Sequence, residues 1–297
     1  MSFALALLLA AQVGPSMRPL PNERPAEPLR PPRRPQAQPQ VQPPVQPQVQ
    51  PAAAGRQQMC PDLAGSTPAE AVDAAEAWLA AAQGAERVQA GECLGIALTR
   101  QERWEEAQTA FRNARDSAAG DSAADRGLRA RLGAMAGNAA LAHGDAAAAL
   151  AALDIAYSDA AEDKALAGGI AIDRARALVA LKRDDEAAAA LAGARAAQPG
   201  NPQAWLLSAT LSRRMNKLAE AQAQIEKAAE LLPIDPEIGL EAGVIAMLSG
   251  REAAARRSWQ SVVAAAPGSE AAAMAGSYLA QLGPEPESEA RPAPGKP

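Results

Sequence analysis

The chain has 297 residues, a formal net charge of −5, two cysteines and one histidine. Two cysteines exclude a disulfide-rich miniprotein, and one histidine excludes catalysis built on histidine clusters. The sequence has no run of about 18 apolar residues, which excludes a polytopic membrane protein.

The first 16 residues resemble a secretory signal peptide. Residues 3–13 (FALALLLAAQV) form an apolar run that is too short to span a bilayer and has the length of a signal-peptide core. No Lys or Arg precedes the run, and a short buried helix is the alternative interpretation. We therefore expect export to the periplasm or the cell exterior, with no transmembrane helix left after signal removal. If the signal interpretation is wrong, we expect a cytoplasmic protein.

Residues 17–59 are predicted to form a disordered linker rich in proline and glutamine. Between Pro31 and Pro51 there is no periodic apolar face, so the segment cannot bury enough surface to offset its ordering entropy. PxxP spacings such as Pro32–Pro35 leave a recognised ligand motif as the alternative to a plain spacer. Six arginines and two glutamates give the segment a net charge of +4.

Two single helices are predicted at the ends of the folded region, which we place at residues 60–283. The first covers residues 68–82, with Thr67 as N-cap and Pro68 in the first turn. Its apolar face consists of Val72, Ala75, Trp78 and Leu79. The second covers residues 270–282 and stops at Gly283. Residues 284–297 are predicted as a disordered tail of net charge −1, which leaves −8 on residues 60–283.

A 34-residue period runs between the two end helices. Pro199, Pro233 and Pro267 stand 34 residues apart. The same step relates three alanines and the apolar residues four positions after them: Ala187, Ala221, Ala255, Leu191, Ile225 and Trp259. Each proline ends a helix, because proline lacks an N–H donor and clashes with the preceding turn.

This pattern resembles the tetratricopeptide repeat, in which each unit is a pair of antiparallel helices. Extending it upstream gives units at 88–121, 130–163, 168–201, 202–235 and 236–269, with insertions of eight and four residues between the first three. The family's small eighth residue, which lets the two helices approach closely, occurs as Gly95, Gly137, Ala175, Ala209 and Gly243. The resemblance implies an all-α fold, an α-solenoid of about five hairpins with capping helices, wound as a right-handed superhelix.

The two cysteines are both near the N-terminal end of the predicted solenoid. Cys60 precedes the first helix and Cys93 lies in the first repeat. In an exported chain they can form a disulfide that closes a loop of about 30 residues and stabilises the fold by roughly 3–4 kcal/mol. In a reducing compartment they are two unrelated buried thiols. Two cysteines with no nearby histidine do not suggest a metal site, and we expect neither metal nor cofactor.

By the same resemblance, the first helices of the units line a concave groove through their second, fifth, ninth and twelfth positions. The residues at such positions here are Arg131, Asn138, Ile172, Arg176, Leu206, Thr210, Arg213, Leu240, Val244 and Met247. The groove is expected to be basic in its middle and apolar toward its C-terminal end, although Leu206 and Leu240 fit the core equally well. One subgroup of the family holds the C-terminal carboxylates of chaperones with a Lys/Asn clamp. That clamp is absent, because Ala134 replaces the lysine.

These features predict a non-catalytic scaffold of the cell envelope or periplasm that binds a protein or peptide in the concave groove. The acidic folded region argues against nucleic acid as the partner. The alternative is a self-associating assembly module, in which the C-terminal groove or the final helix pairs with a second copy. A third hypothesis is an enzyme with an unrecognised active site.

Overall fold

The computed structural model describes residues 67–118, 120 and 122–284, all of which belong to one compact unit of the chain, 60–297. These residues form twelve α-helices and no strand. The helices are α1 (Pro68–Ala81), α2 (Ala85–Arg100), α3 (Trp104–Ser117), α4 (Ala123–His143), α5 (Ala146–Asp159), α6 (Lys164–Ala180), α7 (Asp184–Ala197), α8 (Pro202–Arg214), α9 (Leu218–Leu231), α10 (Pro236–Leu248), α11 (Glu252–Ala265) and α12 (Glu270–Leu282).

The predicted signal segment 1–16, the linker 17–59 and Cys60 lie outside the described residues, as does the tail after Pro284. None of the twelve helices in the described part is long and apolar enough to cross a bilayer.

Ten of the helices form five hairpins, one for each predicted unit. The hairpins are α2/α3, α4/α5, α6/α7, α8/α9 and α10/α11, each joined by a connection of two or three residues. Each helix packs against the next along the chain, and first helices of neighbouring hairpins also touch, as α4 with α6 and α8 with α10. The predicted all-α solenoid is confirmed, and α1 and α12 flank the stack.

The two insertions between the first three units lengthen first helices. α4 has 21 residues and α6 has 17, whereas α8 and α10 have 13 each. The excess of eight and four residues corresponds to about two turns and one turn at 3.6 residues per turn. Because the extra residues lie at the N-terminal ends of α4 and α6, the repeat positions that follow them keep their place against the neighbouring helices. The sequence can therefore absorb both insertions without disturbing the stack.

The turn inside every hairpin contains a residue with left-handed backbone geometry at the same repeat position. This position is occupied by Glu102 (φ 57°), Gly144 (φ 90°), Lys182 (φ 60°), Asn216 (φ 59°) and Gly250 (φ 72°). Glycine and asparagine tolerate this conformation, whereas other L-residues adopt it at a cost of roughly 1–2 kcal/mol. The turn geometry is therefore imposed by the packing of the two helices, even where the local sequence opposes it.

In three units the small eighth residue lies against the side chain at the twenty-fourth position, on the second helix of the same hairpin. A Cβ added to Gly95, Gly137 or Gly243 would lie closer than 3.0 Å to the facing side chain. Those facing side chains are Phe111, Leu153 and Trp259. Glycine at these three positions is thus what lets the two helices of the hairpin meet across a large side chain.

The ends of the solenoid are closed by defined contacts. Thr67 and Glu70 form a capping box on α1, with Pro68 in the first turn, as predicted. At the other end the buried guanidinium of Arg256 donates from Nη1 to the carbonyl of Gly283 at 2.6 Å and from Nη2 to Glu252 at 2.8 Å. A cation beside the last carbonyls of α12 stabilises that helix end.

Candidate protein-binding surface

The ten residues predicted to line the groove all lie on first helices. Arg131 and Asn138 are on α4, Ile172 and Arg176 on α6, Leu206, Thr210 and Arg213 on α8, and Leu240, Val244 and Met247 on α10. We call the solvent-exposed side of α4, α6, α8 and α10 that carries these positions the first-helix surface.

Two of the apolar residues belong to the core. Ile172 is 5% exposed and Leu206 is 9% exposed, and each lies within a cluster of buried apolar side chains. They hold neighbouring hairpins together and offer no surface to a ligand. The sequence had left Leu206 as either a groove residue or a core residue, and it lies in the core.

The remaining apolar residues form a stripe along α10. Leu240 and Val244 are half-buried and pack against the cluster that contains Trp259. Met247 is 37% exposed, and the next residue, Leu248, is 55% exposed. Leu240, Val244 and Met247 follow one another at helical spacing, so they face one side of α10. This stripe is the apolar part of the first-helix surface.

Most of the charge on the first-helix surface is paired. Arg176 donates to Asp173 at 2.5 Å, and Asp173 also accepts from the amide of Asn138 at 3.0 Å, which links α4 to α6. Arg213 donates to Glu241 at 2.6 Å across α8 and α10, and both side chains are 12% exposed. The expected basic middle is therefore largely neutralised by carboxylates of the same surface.

Arg131 differs from the other two arginines. It is exposed on α4, and it makes no ion pair within the described part of the chain. Of the three predicted cations it is the one whose donors remain available to an external carboxylate.

The links that Asp173 and Glu241 make between first helices were not predicted from the sequence, although a signal exists for the link of Asp173. Both occupy the sixth position of a unit, next to the fifth-position residues Ile172 and Leu240. Asp173 lies 35 residues, about one repeat, after its partner Asn138, whereas Glu241 lies 28 residues after its partner Arg213. Matching polar residues one repeat apart would therefore have revealed the first link and not the second.

Tyr278 of α12 lies close to the Arg213–Glu241 pair. Burial raises the pKa of the Tyr278 hydroxyl, the charge of Glu241 raises it further, and Arg213 opposes the shift. The Tyr278 ring also contacts Trp259, with ring centroids 5.0 Å apart. The last first helix and the terminal helix thus form one packed unit.

The single histidine and the acidic side chains are the remaining groups with metal-binding or catalytic chemistry. His143 is the exposed last residue of α4, at the turn into α5. Among the side chains that the structure describes, no three His, Cys, Asp or Glu residues come together in a way that could hold a metal ion.

No family model and no curated protein matches the chain. Several solved structures are similar. BtubC from P. vanneervenii is 13% identical, with 82% of this chain and 99% of that chain covered and a TM-score of 0.54. MamA, residue 41 to the end, from Desulfovibrio magneticus RS-1 is 15% identical, with 62% and 97% covered and a TM-score of 0.52. TTC0263, a TPR protein of Thermus thermophilus, is 20% identical, with 65% and 99% covered and a TM-score of 0.49.

At identities this low the likeness to BtubC and MamA, whose TM-scores exceed 0.5, concerns the fold alone. It agrees with the 34-residue period, with the five hairpins of the structure, and with the small eighth residue that meets a larger twenty-fourth. The chain therefore folds as an α-solenoid of the tetratricopeptide-repeat type.

Proposed function

We propose that this protein is a non-catalytic scaffold that binds a protein or peptide along its first-helix surface. The observation that carries the proposal is the apolar stripe of Leu240, Val244 and Met247, which ends at an exposed Met247 beside an exposed Leu248. Grooves and helix faces with such spaced apolar residues bind extended peptides or amphipathic helices through a few anchor side chains.

The polar part of the proposed surface would bind one end of the ligand. Arg131 is exposed and without an ion pair among the described residues, and a guanidinium binds a carboxylate through two parallel hydrogen bonds. We expect the ligand to carry an acidic group toward α4 and apolar side chains toward α10. Arg176 and Arg213 are expected to keep their internal partners and to hold the first helices in place.

Met247→Arg tests the apolar part of the surface. Full-length protein bearing an affinity tag is used to isolate a partner from the native host, and the same partner is then offered to the variants. Because Met247 is more than one-third exposed, we expect Met247→Arg to keep the helicity and melting temperature while partner binding is lost, since a buried unpaired charge costs several kcal/mol.

Ile155→Arg is the matched control. Ile155 is 49% exposed on α5, a second helix, so the same change is made at a similarly exposed apolar residue away from the first-helix surface. Partner binding is expected to survive it. A folded Met247→Arg variant that still binds would refute the proposal. Concentration-dependent dimers that Met247→Arg abolishes would favour the self-associating module instead.

The proposed place of action is outside the cytoplasm, in the periplasm or beyond. The apolar run at residues 3–13 supports export. Mass spectrometry of native material is expected to show the first 10–20 residues missing, which is the usual length scale of a signal peptide. An intact Met1 on cytoplasmic protein would contradict export and leave the scaffold proposal standing.

A further inference from the structure

Arg195 of α7 is the one half-buried arginine of the described residues that has no carboxylate partner. Eight arginines are half-buried or buried in that part of the chain, and the other seven each form an ion pair with an aspartate or a glutamate. Arg195 forms no ion pair with any described residue. Because a buried charge is costly unless it is paired, Arg195 stands apart from the rest of the fold.

An aromatic ring and a hydroxyl hold Arg195 in place. Its guanidinium carbon lies 5.1 Å from the centroid of the Trp205 ring on α8. The ring is fixed in turn, because its Nε1 donates to the carbonyl of Pro199 at 2.9 Å. Nη1 of Arg195 donates to the hydroxyl of Ser208, which is 3% exposed. The cation is therefore oriented by neutral groups.

The other two nitrogens of the Arg195 guanidinium are open to solvent. Nε and Nη2 make no hydrogen bond to any described residue. They are not enclosed either, because the described side-chain atoms that are both buried and without a partner are Nε of Arg115 and Oδ1 of Asp184. Nε and Nη2 form a planar pair of donors, which matches the two oxygens of a carboxylate.

A second arginine–aromatic pair in the chain shows the same arrangement with a carboxylate present. Arg174 of α6 places its guanidinium carbon 4.8 Å from the centroid of the Tyr157 ring on α5. Its Nε donates to Asp154 at 2.7 Å, and its Nη2 lies 2.6 Å from the same oxygen. Tyr157 and Arg195 both occupy the twenty-eighth position of their units, so each pair joins a second helix to the next first helix. The twenty-fifth position, which is Asp154 in the earlier unit, is Ala192 in the unit of Arg195.

The charges around Arg195 favour a singly charged anion. Burial lowers the pKa of the Arg195 guanidinium, and the negative charge of Glu220 on α9 offsets this only in part. Glu220 is exposed and forms no ion pair with Arg195. Its charge repels a phosphate dianion more strongly than a carboxylate, because the repulsion scales with the charge of the ligand.

We propose that Arg195 and Trp205 form a binding site for a carboxylate group from outside the folded chain. The carboxylate accepts from Nε and Nη2 of Arg195, as Asp154 accepts from the same two nitrogens of Arg174. The site lies at the junction of α7 and α8 and is separate from the ten positions of the first-helix surface. A small organic acid and an acidic side chain of a protein are the two sources of this chemistry.

Nuclear magnetic resonance of the isotope-labelled full chain measures the binding. The chain has four tryptophans, and Trp205→Phe identifies the indole N–H signal of Trp205. We expect glutarate to shift this signal with a dissociation constant of about 10–100 mM, the strength of one charge-assisted pair, while the other three indole signals stay in place. Sodium chloride of equal ionic strength is expected to cause no such shift. If no indole signal responds, or all four respond alike, the proposal is overturned.

A hexaglutamate peptide, titrated at equal carboxylate concentration, distinguishes the two sources. Residues 60–283 have a net charge of −8, so general electrostatic attraction does not draw an acidic peptide to them. Tighter binding of the peptide than of glutarate supports the site and assigns it to an acidic segment of a protein. Equal or weaker binding of the peptide supports the site and assigns it to a free organic acid.

Variants of the full chain locate the site. Arg195→Gln removes the charge and is expected to weaken glutarate binding at least about fivefold. Arg257→Gln is the matched control, because Arg257 is exposed on α11, also a second helix, and has no ion pair within the described part of the chain. It is expected to leave binding unchanged, and equal weakening by both variants would overturn the proposal. Should Arg195→Gln not fold, Arg195→Lys keeps the charge without the planar donors; we expect weaker binding, and unchanged binding would count against the site.

Urea unfolding separates a binding role of Arg195 from a structural one. Arg195→Met keeps an unbranched side chain over Trp205 and removes a charge that has no partner. We therefore expect its urea midpoint to equal or exceed that of the parent while glutarate binding is lost. A folded Arg195→Met chain that binds glutarate as the parent does would refute the site.

Discussion

A change from glycine to alanine is predicted to have opposite effects on stability at Gly243, where α10 and α11 approach closely, and at Gly276. At Gly243, an added Cβ would lie under 3.0 Å from the indole of Trp259, which is 3% exposed. The indole cannot easily retreat, because its Nε1 donates to the carbonyl of Leu240 at 3.2 Å and its ring packs against Tyr278. At Gly276 of α12 an added Cβ would meet no atom within 4 Å.

The change in the free energy of unfolding is the sum of three contributions. Forcing extra volume into a packed site costs about 1–3 kcal/mol, and loss of the Trp259 hydrogen bond adds about 1 kcal/mol. Replacing a helical glycine by alanine returns about 1 kcal/mol of helix propensity. Gly243→Ala is thus expected to destabilise the C-terminal hairpin by about 1–3 kcal/mol. Gly276→Ala, which has only the last term, is expected to stabilise its helix by up to about 1 kcal/mol.

Urea unfolding followed by circular dichroism and tryptophan fluorescence measures both variants. A solenoid can unfold in parts, so the fluorescence midpoint is compared with the helicity midpoint before a free energy is assigned. We expect Gly243→Ala to unfold at lower urea than the parent and Gly276→Ala at equal or higher urea. If the two variants unfold at the same urea concentration, the packing argument for the eighth position is refuted.

Three further predictions concern the turns, the first cap and the cysteines. Lys182→Gly is expected to stabilise the protein by about 0.5–1 kcal/mol in urea unfolding, because glycine adopts a φ of 60° without strain; a loss of stability would contradict this. Hydrogen bonds from the Thr67 side chain, and then from its backbone, hold the pKa of Glu70 below its ordinary value. The stability that they contribute is present above the ordinary pKa and is lost as pH falls through the lowered one. We therefore expect α1 to melt earlier in acid, and Thr67→Ala to flatten that pH dependence in thermal melts. Non-reducing peptide mapping is expected to find Cys60 linked to Cys93, and free alkylation of both thiols without reductant would exclude the bridge.

The fold could be predicted from the sequence because its signals are local and repeated. A proline every 34 residues and a small residue at the eighth position mark each hairpin, whatever the rest of the unit contains. Thr67 and Pro68 marked the start of α1 in the same local way. Even the two insertions were visible, although the sequence did not indicate that they would become extra turns of α4 and α6.

The surface was harder to predict, because periodicity gives the direction of a side chain and not how deeply a neighbour covers it. Leu206 and Leu240 occupy the same repeat position, yet Leu206 is buried in its cluster and Leu240 is only half-buried. The partner of Arg213 lies on the adjacent first helix, at a distance that no single unit encodes, whereas Arg176 pairs with Asp173 three residues earlier on its own helix. The backbone conformation of Lys182 was equally hard to predict, because the packing of two helices imposes a left-handed geometry that lysine disfavours.

The residues at positions eight and twenty-four explain how such a varied sequence keeps one architecture. Glycine faces both aromatic residues at position twenty-four, Phe111 and Trp259, and also Leu153, whereas Ala175 and Ala209 share clusters with Leu191 and Ile225. An aromatic residue at position twenty-four thus stands opposite glycine, while leucine occurs with either glycine or alanine. It follows that Gly243→Ala should be rescued by Trp259→Leu, which copies the pairing of the third unit. A double variant no more stable than Gly243→Ala alone would show that the separation is set elsewhere.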